Sequence, residues 1–488
     1  VGGSVWPYLS RRSGSKRYRK FVSFSVFDRN SGIYIKMTEF QVLLLAAGKG
    51  SRMNNLADSK GKCLLPIGSY PMIWYPLNYL QSNGFNEVLV IAPEGIAEAV
   101  QDVPDKFDMN IKLDVVSLPE YGPDDEELGT ADAIRLVKDK IKNDLLIISC
   151  DLLINFDLNL LMRVHRNHNS SVTALFSEAL EIKYVPGQKE KQKQEHDLIG
   201  FDPETSRLVF ITSEADLDET FDLRKKLLKQ HPVIQIRRDL ADAHLYLMKQ
   251  WVVEFIASRS DLTSLKGEVV PALLKMQYKS KIPAMQLEEK DVEHEQVIKS
   301  IISPEVKLIE KLSCWNDHSG DLEESYHGQN IRCYFVLSKS SDVCVRVNTT
   351  ATYFDINTKV AKIWDDLMPG SKKDSIHPTV EITNKTQISP DTVIGEHSIL
   401  KDKISIKHCV IGSKCLVEEK VRLINCIIMN NVTIKEGSVI QNTILCDNVV
   451  VDERCDIKDC IIESGQILHS GAKFSREIVA DTGKMMEI

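Results

Sequence analysis

The sequence lacks the features that mark membrane proteins, disulfide-stabilised proteins and proteins that coat nucleic acid. No apolar run approaches the roughly 18 residues that a membrane-spanning helix needs. The eleven cysteines are scattered without a CxxC pair, which favours reduced thiols over a disulfide framework or a zinc site. The net charge of −8 argues against a chain that binds nucleic acid along its whole length, although a local basic surface is compatible with it.

What the sequence does contain is typical of a globular protein with more than one domain. Apolar residues make up 43% of the chain and charged residues 27%, which are ordinary values. A chain of 488 residues is too long for one compact core. We therefore expect two or three domains.

Residues 1–36 differ from the rest of the chain in charge. They contain eight lysines and arginines against one acid, Asp28, a bias that transit peptides share. Met37, however, lies three residues before the first apolar strand, where a start codon belongs, and the chain opens with Val1. We expect residues 1–36 to be a disordered extension that is not native to the protein, with an imported protein as the alternative.

Residues 37–285 alternate short apolar runs with amphipathic stretches, which predicts an α/β domain. The predicted buried strands are 42–47, 87–92, 112–118 and 144–150. The predicted helices are 72–84, which Gly84 would cap, and 130–141. Strand, helix and strand in this order imply βαβ units and a largely parallel sheet, whose ligands bind at the carboxyl ends of the strands.

Residues 286–370 give a weaker signal, and we expect a linker followed by a small connecting region. The segment 286–299 is highly charged, as linkers often are. The runs CYFVLS (333–338) and VCVRVN (343–348) predict a small strand pair, and KVAKIWDDLM (359–368) predicts a helix.

Residues 371–480 contain a repeat of aliphatic residues, and a tail follows at 481–488. From Ile394 the steps are 6, 6 and 5 residues and then repeat, so equivalent positions are 17 residues apart. This spacing is typical of a triangular solenoid whose three short faces each send one side chain inward. The predicted inward residues are Ile376, Ile382, Ile388, Ile394, Leu400, Ile406, Ile411, Val417, Leu423, Ile428, Ile434, Ile440, Leu445, Val451, Ile457, Ile462 and Leu468.

Three cysteines recur in the same register as this repeat. Cys409, Cys426 and Cys460 each precede two aliphatic residues. Stacking of equivalent repeat positions explains their spacing, so we expect them to pack against one another's positions rather than to bind metal.

The most informative segment is residues 42–66. Its apolar run breaks into Gly48-Lys49-Gly50-Ser51-Arg52, and Lys62 follows ten residues after Arg52. Glycine lets the backbone approach an anion closely and point its N–H groups at it, and arginine and lysine add the charge that a triphosphate needs. The segment therefore predicts a phosphate-binding loop. Dinucleotide binding fits less well, because Met53 stands where GxGxxG needs its third glycine.

The Gly-rich loop, Lys62 and the solenoid together resemble the sugar-nucleotide pyrophosphorylases, a family of nucleotidyltransferases. The resemblance implies a Rossmann-like nucleotidyltransferase domain followed by a left-handed parallel β-helix of hexapeptide repeats. It also implies that the loop holds a triphosphate, that the lysine lies by the α-phosphate and that a carboxylate holds Mg²⁺. The residues that match the nucleotide pocket are Gly48, Gly50, Ser51, Arg52, Lys62, Gly129 and Thr130. Asp151 matches the metal-binding carboxylate, and residues 242–246 (DAHLY) resemble the family's N-A-G-[IV]-Y strand near the sugar.

Other parts of the family's nucleotide site are missing. Gly61 replaces the proline that precedes the reactive lysine. No glutamine lies between Ile111 and Leu128 to read a base edge, and the acidic residues 124–127 would repel a triphosphate.

The sugar-phosphate side of the family's site is also incomplete. Ser213-Glu214-Ala215 is the nearest counterpart of the family's Glu-Lys-Pro, and His244 fills the position of a glycine that leaves room for the sugar. No convincing second metal carboxylate follows Tyr246. We therefore expect no catalytic residue, a vestigial nucleotide pocket, and Asp151 as only a vestigial candidate for metal binding.

Several of these residues also have purely structural explanations. Asp151 at a strand end can cap the next turn, and His244 can be a packed, hydrogen-bonded histidine rather than a base. The acidic run 124–127 is then a solvated loop, and Trp74 and Tyr75 are core residues. Only the Gly-rich loop lacks such an explanation.

A closer resemblance covers nearly all of residues 37–488, to the family of gamma subunits of translation initiation factor 2B. The segments that carry it are SRMNNL, CLLPIGSYPMIWYPLNYL, ELGTADAIR, LIISCDL, VPGQK, SEADLDE, DAHLYLMK and the terminal KMMEI. The resemblance implies a non-catalytic cytosolic subunit without a cofactor, which pairs with an epsilon subunit in a complex with alpha, beta and delta subunits. That complex exchanges GDP for GTP on initiation factor 2, and neither a membrane nor direct nucleic-acid contact is expected.

In that family the exchange activity lies in a helical domain appended to epsilon. The present chain ends 20 residues after Leu468, so we expect no such domain here, which favours gamma over epsilon. Two alternatives stay open. One is an active sugar-1-phosphate nucleotidyltransferase, similar to a mannose-1-phosphate guanylyltransferase, and the other is a regulatory site that binds nucleotide or sugar phosphate without turnover.

Overall fold

The computed structural model describes most of the chain between residues 39 and 480. Within this span it leaves out residues 49, 57–59, 120–127, 181–185, 188–195, 215–224, 279–330, 369–374 and 384. The expectations for residues 1–36, 124–127, 286–299 and 481–488, and for Ala215, lie outside the described residues.

The first part of the described chain is an α/β domain. Its strands are β1 (Phe40–Leu45), β2 (Pro66–Ile67), β3 (Tyr70–Pro71), β4 (Glu87–Pro93), β5 (Lys112–Leu118), β6 (Asp144–Ser149), β7 (Leu152–Ile154), β8 (Val172–Glu178), β9 (Asp197–Asp202), β10 (Arg207–Ser213), β11 (Gln235–Arg237), β12 (Leu240–Met248), β13 (Cys333–Leu337) and β14 (Cys344–Arg346). Its helices are α1 (Trp74–Ser82), α2 (Glu94–Gln101), α3 (Val103–Lys106), α4 (Thr130–Leu136), α5 (Leu158–Asn167), α6 (Lys225–Gln230), α7 (Gln250–Ser258), α8 (Val270–Gln277) and α9 (Thr350–Leu367). Short 3-10 segments are Ser51–Leu56, Lys62–Leu64 and Lys138–Lys140.

Ten strands form one mixed sheet in the order β11-β9-β10-β13-β8-β12-β6-β1-β4-β5. The strands β6, β1, β4 and β5 run parallel, which confirms the parallel sheet expected where the Gly-rich loop leaves β1. β12 instead pairs antiparallel with both β6 and β8. Because β4 and β5 lie on one side of β1 and β6 on the other, the order of strands reverses between β1 and β6. Clefts for ligands open at such points, beyond the carboxyl ends of the strands.

The predicted strands and helices of this half are confirmed, with ends that shift by a few residues. The apolar run of β1 is buried on both faces of the sheet, since Leu43 packs into one core cluster and Val42 and Leu44 into the other. The predicted helix 130–141 ends earlier, at Leu136, and a 3-10 turn follows.

The strand pair predicted for residues 333–338 and 343–348 is wrong, although both strands exist. β13 enters the main sheet between β10 and β8, antiparallel to the first and parallel to the second. β14 pairs antiparallel with β7, immediately after Asp151. Both strands are apolar, and pairing with strands of the larger domain buries them in place of a local hairpin. The helix predicted at 359–368 is α9, which begins earlier, at Thr350.

The second part of the chain is a parallel β-helix with three six-stranded faces. Face 1 contains β17 (Val393–Ile394), β20 (Val410–Ile411), β23 (Ile427–Ile428), β26 (Ile444–Leu445), β29 (Ile461–Ile462) and β32 (Ile478–Val479). Face 2 contains β15 (Glu381–Ile382), β18 (Ile399–Leu400), β21 (Leu416–Val417), β24 (Thr433–Ile434), β27 (Val450–Val451) and β30 (Ile467–Leu468). Face 3 contains β16 (Gln387–Ile388), β19 (Ser405–Lys407), β22 (Arg422–Ile424), β25 (Val439–Gln441), β28 (Asp456–Lys458) and β31 (Lys473–Ser475).

The repeat predicts the interior of the β-helix well. From Ile394 to Leu468 each predicted inward residue is at most 3% exposed. Neighbouring coils pair 17 residues apart, as in Val410 with Ile427. The prediction is wrong for Ile376 and Ile382, which are 39% and 40% exposed, because among the described residues no coil stacks before theirs.

The three cysteines behave as the repeat predicts. Cys409, Cys426 and Cys460 are fully buried and free of disulfides. The backbone N–H of Cys426 lies 3.4 Å from the sulfur of Cys409, one coil away. Their spacing therefore follows from the stacking of coils.

α9 connects the two parts. Its Phe354, Val360 and Trp364 pack in one cluster with the outward residues of face 1, such as Val410 and Ile427. In the part of the chain that is described, no helix combines the length and the apolar character that crossing a bilayer requires.

Candidate functional site

The Gly-rich loop and Asp151 leave the sheet at the same edge. β1 and β6 are parallel neighbours, with Leu45 opposite Ser149. The backbone N–H of Cys150 donates to the carbonyl of Leu45 over 3.0 Å. Gly48 and Asp151 therefore follow two adjacent strand ends, where the reversal of strand order opens the candidate cleft.

The first half of the Gly-rich loop is open, and its second half is packed. Gly48 is exposed, and a β-carbon at this position would have no described atom within 4 Å, so the described residues leave the space beside it open. Gly50 has a φ of +81°, a conformation that favours glycine, and its carbonyl accepts a hydrogen bond from Met53 at 2.7 Å. Arg52 is exposed, whereas Met53 is fully buried against α9. The structure describes only the backbone of Ser51 and leaves out Lys49.

Lys62 opens a 3-10 segment that turns back toward the sheet. It follows Gly61, whose φ is +73°. Proline holds φ near −65°, so the family's proline could not adopt this backbone, which accounts for its replacement by glycine. A β-carbon on Gly61 would also lie 2.8 Å from the Cδ1 atom of Ile96, so this side chain would have to shift.

Asp151 is the centre of a buried cluster of charges. Its side chain is fully buried and pairs with the Lys62 ammonium group. The Nε atom of Arg346 donates to its two oxygens over 3.1 and 3.2 Å. Burial alone would raise the pKa of Asp151, but the charges of Arg346 and Lys62 outweigh it and hold the pKa well below its usual range. The carboxylate is therefore ionised and already neutralised by two cations of the chain.

The sequence did not single out Arg346. The strand β14 places Arg346 opposite Leu152 on β7, next to Asp151. The backbone N–H of Val347 also donates to the carbonyl of Asp151 over 2.8 Å. The one local signal is a charged residue between two valines of a short strand, and nothing in a single sequence connects it with Asp151, 195 residues away.

The donor set around Asp151 does not fit the Mg²⁺ ion that the nucleotidyltransferase resemblance implies. Mg²⁺ binds carboxylate oxygens that are free to coordinate it, and here Lys62 and Arg346 engage both oxygens. A third cation at the same carboxylate would be repelled by both. Among the residues that the structure describes, no three His, Cys, Asp or Glu side chains are grouped as metal ligands.

Gly129 and Thr130 lie at the N-terminus of α4 and contact a different segment. The hydroxyl of Thr130 accepts a hydrogen bond from the N–H of Leu265 at 2.8 Å, and Ala131 donates to the carbonyl of Thr263 at 2.8 Å. A β-carbon on Gly129 would lie 2.1 Å from that carbonyl. The structure therefore brings Lys62 and Asp151 together. Gly129 and Thr130 instead lie against residues 263–265.

His244 occupies an irregular point in β12. It has a φ of +52°, and the pairing of β12 with β8 shifts between Asp242 and Tyr246. The backbone N–H of His244 donates to Asp242 over 2.8 Å, while its Nε2 is shielded from solvent without a hydrogen-bond partner among the described residues. Burial and then the charge of Arg346 hold the pKa of His244 well below 6.5, so the ring is neutral at pH 7. This is a packed histidine beside the charge cluster.

The end of the Gly-rich segment also contacts the β-helix. The ammonium nitrogen of Lys60 lies 2.7 Å from an oxygen of Asp447, which is largely buried. The backbone N–H of Asn430 donates to the other oxygen over 2.9 Å. Met53 packs against α9, and Lys60 pairs with Asp447 of the β-helix. The segment is therefore held both before and after residues 57–59, which the structure does not describe.

The charge cluster predicts a specific loss of stability. Replacing Asp151 by asparagine leaves Lys62 and Arg346 without a counter-charge, and we expect the free energy of unfolding at pH 7 to fall by about 3 kcal/mol. The control Asp114→Asn removes the partner of Lys140 in a half-exposed pair and should cost at most about 1 kcal/mol. Denaturant titrations measure both values, and an Asp151→Asn variant as stable as the wild type would contradict the cluster.

The pH dependence of this difference follows from the direction of the pKa shift. Because the pKa of Asp151 is lowered by folding, its contribution to stability is fully present above the unfolded value of about 3.9 and is lost as the pH falls below it. The stability gap between wild type and Asp151→Asn should therefore be constant between about pH 6 and 8 and shrink below about pH 4.

Comparisons with known proteins agree with this division into two parts. Residues 41–181 match the family model described as nucleotidyl transferase. Residues 375–474 match the model described as the EIF2B subunit epsilon LbH domain. The expected fold class, a nucleotidyltransferase domain followed by a left-handed β-helix, is thereby confirmed.

Relatives that align with about three quarters of the chain are gamma subunits of translation initiation factor eIF2B. The translation initiation factor eIF2B subunit gamma of Schizosaccharomyces pombe is 27% identical over 75% of this chain and 74% of its own length. That of Dictyostelium discoideum is 26% identical over 76% of this chain and 87% of its own length. A glucose-1-phosphate thymidylyltransferase of Neisseria meningitidis is 35% identical, but over only 21% of this chain and 34% of its own length. The chain is therefore a homologue of the gamma subunits of translation initiation factor eIF2B.

Proposed function

We propose that this protein is a non-catalytic subunit of a guanine nucleotide exchange factor complex that exchanges GDP for GTP on initiation factor 2. The observation that carries the proposal is the extent of the similarity. Gamma subunits align with about three quarters of the chain, across both of its parts, whereas the thymidylyltransferase aligns with a fifth of it. We therefore base the proposed function on the gamma subunits, which are similar to both parts of the chain.

The chemistry of the cleft supports a role without catalysis. Transfer of a nucleotidyl group to a sugar phosphate brings two polyanions together, and metal ions and lysines normally neutralise them. Here the charge of Lys62 pairs with Asp151, and Arg346 takes up the rest of that carboxylate. Neither Lys62 nor Asp151 is then available for phosphate or metal.

The nucleotide pocket is accordingly proposed as vestigial. Its residues are Gly48, Gly50, Ser51, Arg52, Lys62, Gly129 and Thr130. Thr130 is bonded to the 263–265 segment, and Lys62 is buried. Of the pocket residues whose exposure the structure describes, only Gly48 and Arg52 are exposed, and two exposed residues are too few to hold and align two substrates.

The proposal includes partners and a location. An epsilon subunit is the direct partner, with alpha, beta and delta subunits in the full complex and initiation factor 2 as the protein on which the complex acts. The β-helix supports an epsilon partner, because the family model that it matches is named for the epsilon subunit. A role in nucleotide exchange on initiation factor 2 implies a cytosolic location, which is part of the proposal.

An enzymatic assay tests the non-catalytic part of the proposal. Purified chain with Mg²⁺, each nucleoside triphosphate and glucose-1-phosphate or mannose-1-phosphate should release no more pyrophosphate than the Lys62→Ala variant does. A glucose-1-phosphate thymidylyltransferase serves as the positive control for the assay. Sustained pyrophosphate release that Lys62→Ala abolishes would instead support the active sugar-1-phosphate nucleotidyltransferase.

Purification from cells tests the assembly part of the proposal. Tagged full-length chain should recover the other subunits of an initiation factor 2B complex in fixed stoichiometry, identified by mass spectrometry. The recovered complex should accelerate GDP release from initiation factor 2, and the chain alone should not. Recovery of the chain as a lone protein, or exchange activity by the chain alone, would contradict the proposal.

A further inference from the structure

The three faces of the β-helix differ in what their outward side chains meet. On face 1 the first residue of each strand points outward and is aliphatic. Ile478 is half-buried, and the other five are at most 8% exposed: Val393, Val410, Ile427, Ile444 and Ile461. They are buried because α9 and neighbouring residues of the first domain pack over them. An outward aliphatic column on this β-helix can therefore be a covered surface.

Face 3 shows that aliphatic residues are not required at outward positions. Its six strands begin with Gln387, Ser405, Arg422, Val439, Asp456 and Lys473, of which only Val439 is aliphatic. The same coils, with the same interior, are built with polar and charged side chains on that face. The outward residues of a face are thus free to suit whatever lies against it.

Face 2 has an outward aliphatic column that the described part of the chain leaves open. The register stacks Ile399 on Leu416, Leu416 on Thr433, Thr433 on Val450 and Val450 on Ile467. Ile399 is 41% exposed and Ile467 is 60% exposed, and the three residues between them are half-buried. The column thus contains four aliphatic side chains, two of them exposed to water and two half-buried on either side of Thr433, which favours an interaction surface over a solvated one.

A second column of face 2 limits the shape of what can cover it. Beside the aliphatic column, Lys401 pairs with Glu418 at 2.9 Å and Lys435 pairs with Asp452 at 2.7 Å. A flat sheet laid across the face would bury these ion pairs, which is costly. A helix covers the narrow aliphatic column and leaves the paired charges at its rim. The chain uses this solution itself where α9 covers face 1.

We propose that face 2 is the docking surface for an amphipathic helix of a partner subunit. This inference rests on the proposed function, which makes the protein part of a complex. Four steps between coils of about 4.8 Å give a column of about 19 Å, the length of about 13 helical residues. The partner helix carries an apolar stripe along one side, with polar residues facing the ion-paired column.

Glutamate substitutions with a matched control test the surface. The double variant Val450→Glu with Ile467→Glu places two charges in the aliphatic column. Val439→Glu is the control, because Val439 is also a half-buried valine that begins a strand, but on face 3. Recovery of partner subunits with the full-length chain should fall about tenfold for the double variant and stay at the wild-type level for the control. A milder pair, Val450→Thr with Ile467→Thr, keeps the β-branched shape and should give a smaller loss, and thermal unfolding checks that each variant is folded.

Cross-linking tests the helix itself. A photoreactive amino acid is placed in turn at Ile399, Leu416, Val450 and Ile467 of the full-length chain in the assembled complex. One coil advances about 4.8 Å, or about three helical residues, so the cross-linked partner residues should advance by three or four per coil along one segment. Advances of one or two residues would indicate a strand, and cross-links to another copy of this chain or to its own residues 279–330 would indicate another occupant. Each of these results would overturn the inference.

The two proposals fail in different ways. If no subunit of a translation factor is recovered with wild-type chain, the proposed function is wrong. If those subunits are recovered equally with wild type, double variant and control, the complex exists and face 2 is not its docking surface.

Discussion

The buried ion cluster of Asp151, Lys62 and Arg346 is the interaction on which the rest of the structure depends. A fully buried carboxylate is tolerated only when cations neutralise it, and here two are needed to outweigh its burial. One cation, Lys62, comes from the segment that follows the Gly-rich loop, and the other, Arg346, comes from β14, 195 residues after Asp151. The cluster thereby fixes β14 on β7. α9 begins at Thr350, four residues after Arg346, and carries the contact with face 1 of the β-helix.

The same cluster supports the proposal that this end of the sheet has a structural role rather than a role in binding phosphates. The resemblance to nucleotidyltransferases implies a lysine and a metal-bound carboxylate that face the substrates at this edge of the sheet. In the present chain the lysine and the carboxylate face each other, and Arg346 contacts both oxygens of the carboxylate. The loop is anchored at Met53 and Lys60 to α9 and to the β-helix. The paired charges and the anchored loop support the proposed role as a non-catalytic subunit.

Much of this fold could be predicted from the sequence, because its signals are local. Apolar runs such as that of β1 predict the parallel strands. The 17-residue spacing predicts which residues fill the interior of the β-helix from Ile394 to Leu468. Gly48 and Asp151 lie at one end of the sheet because they follow adjacent strands, whereas the pairing of Lys62 with Asp151 was not predicted. Arg346 could not be predicted, because its partner is distant in sequence and a short strand gives no pairing information. The same limit explains the wrong pairing of β13 with β14. The cover of face 1 did have a signal, the outward aliphatic residues such as Ile427 and Ile444 that precede the inward ones.

In the proposed function, Lys62 and Arg346 hold the carboxylate of Asp151, so that this carboxylate binds no metal. Binding of Mn²⁺, followed by electron paramagnetic resonance on the full-length chain, tests this most directly. The account predicts that wild type and Asp151→Asn bind Mn²⁺ with the same isotherm, because no metal uses that carboxylate. A stoichiometric Mn²⁺ site in the wild type that Asp151→Asn removes and Asp114→Asn keeps would contradict it.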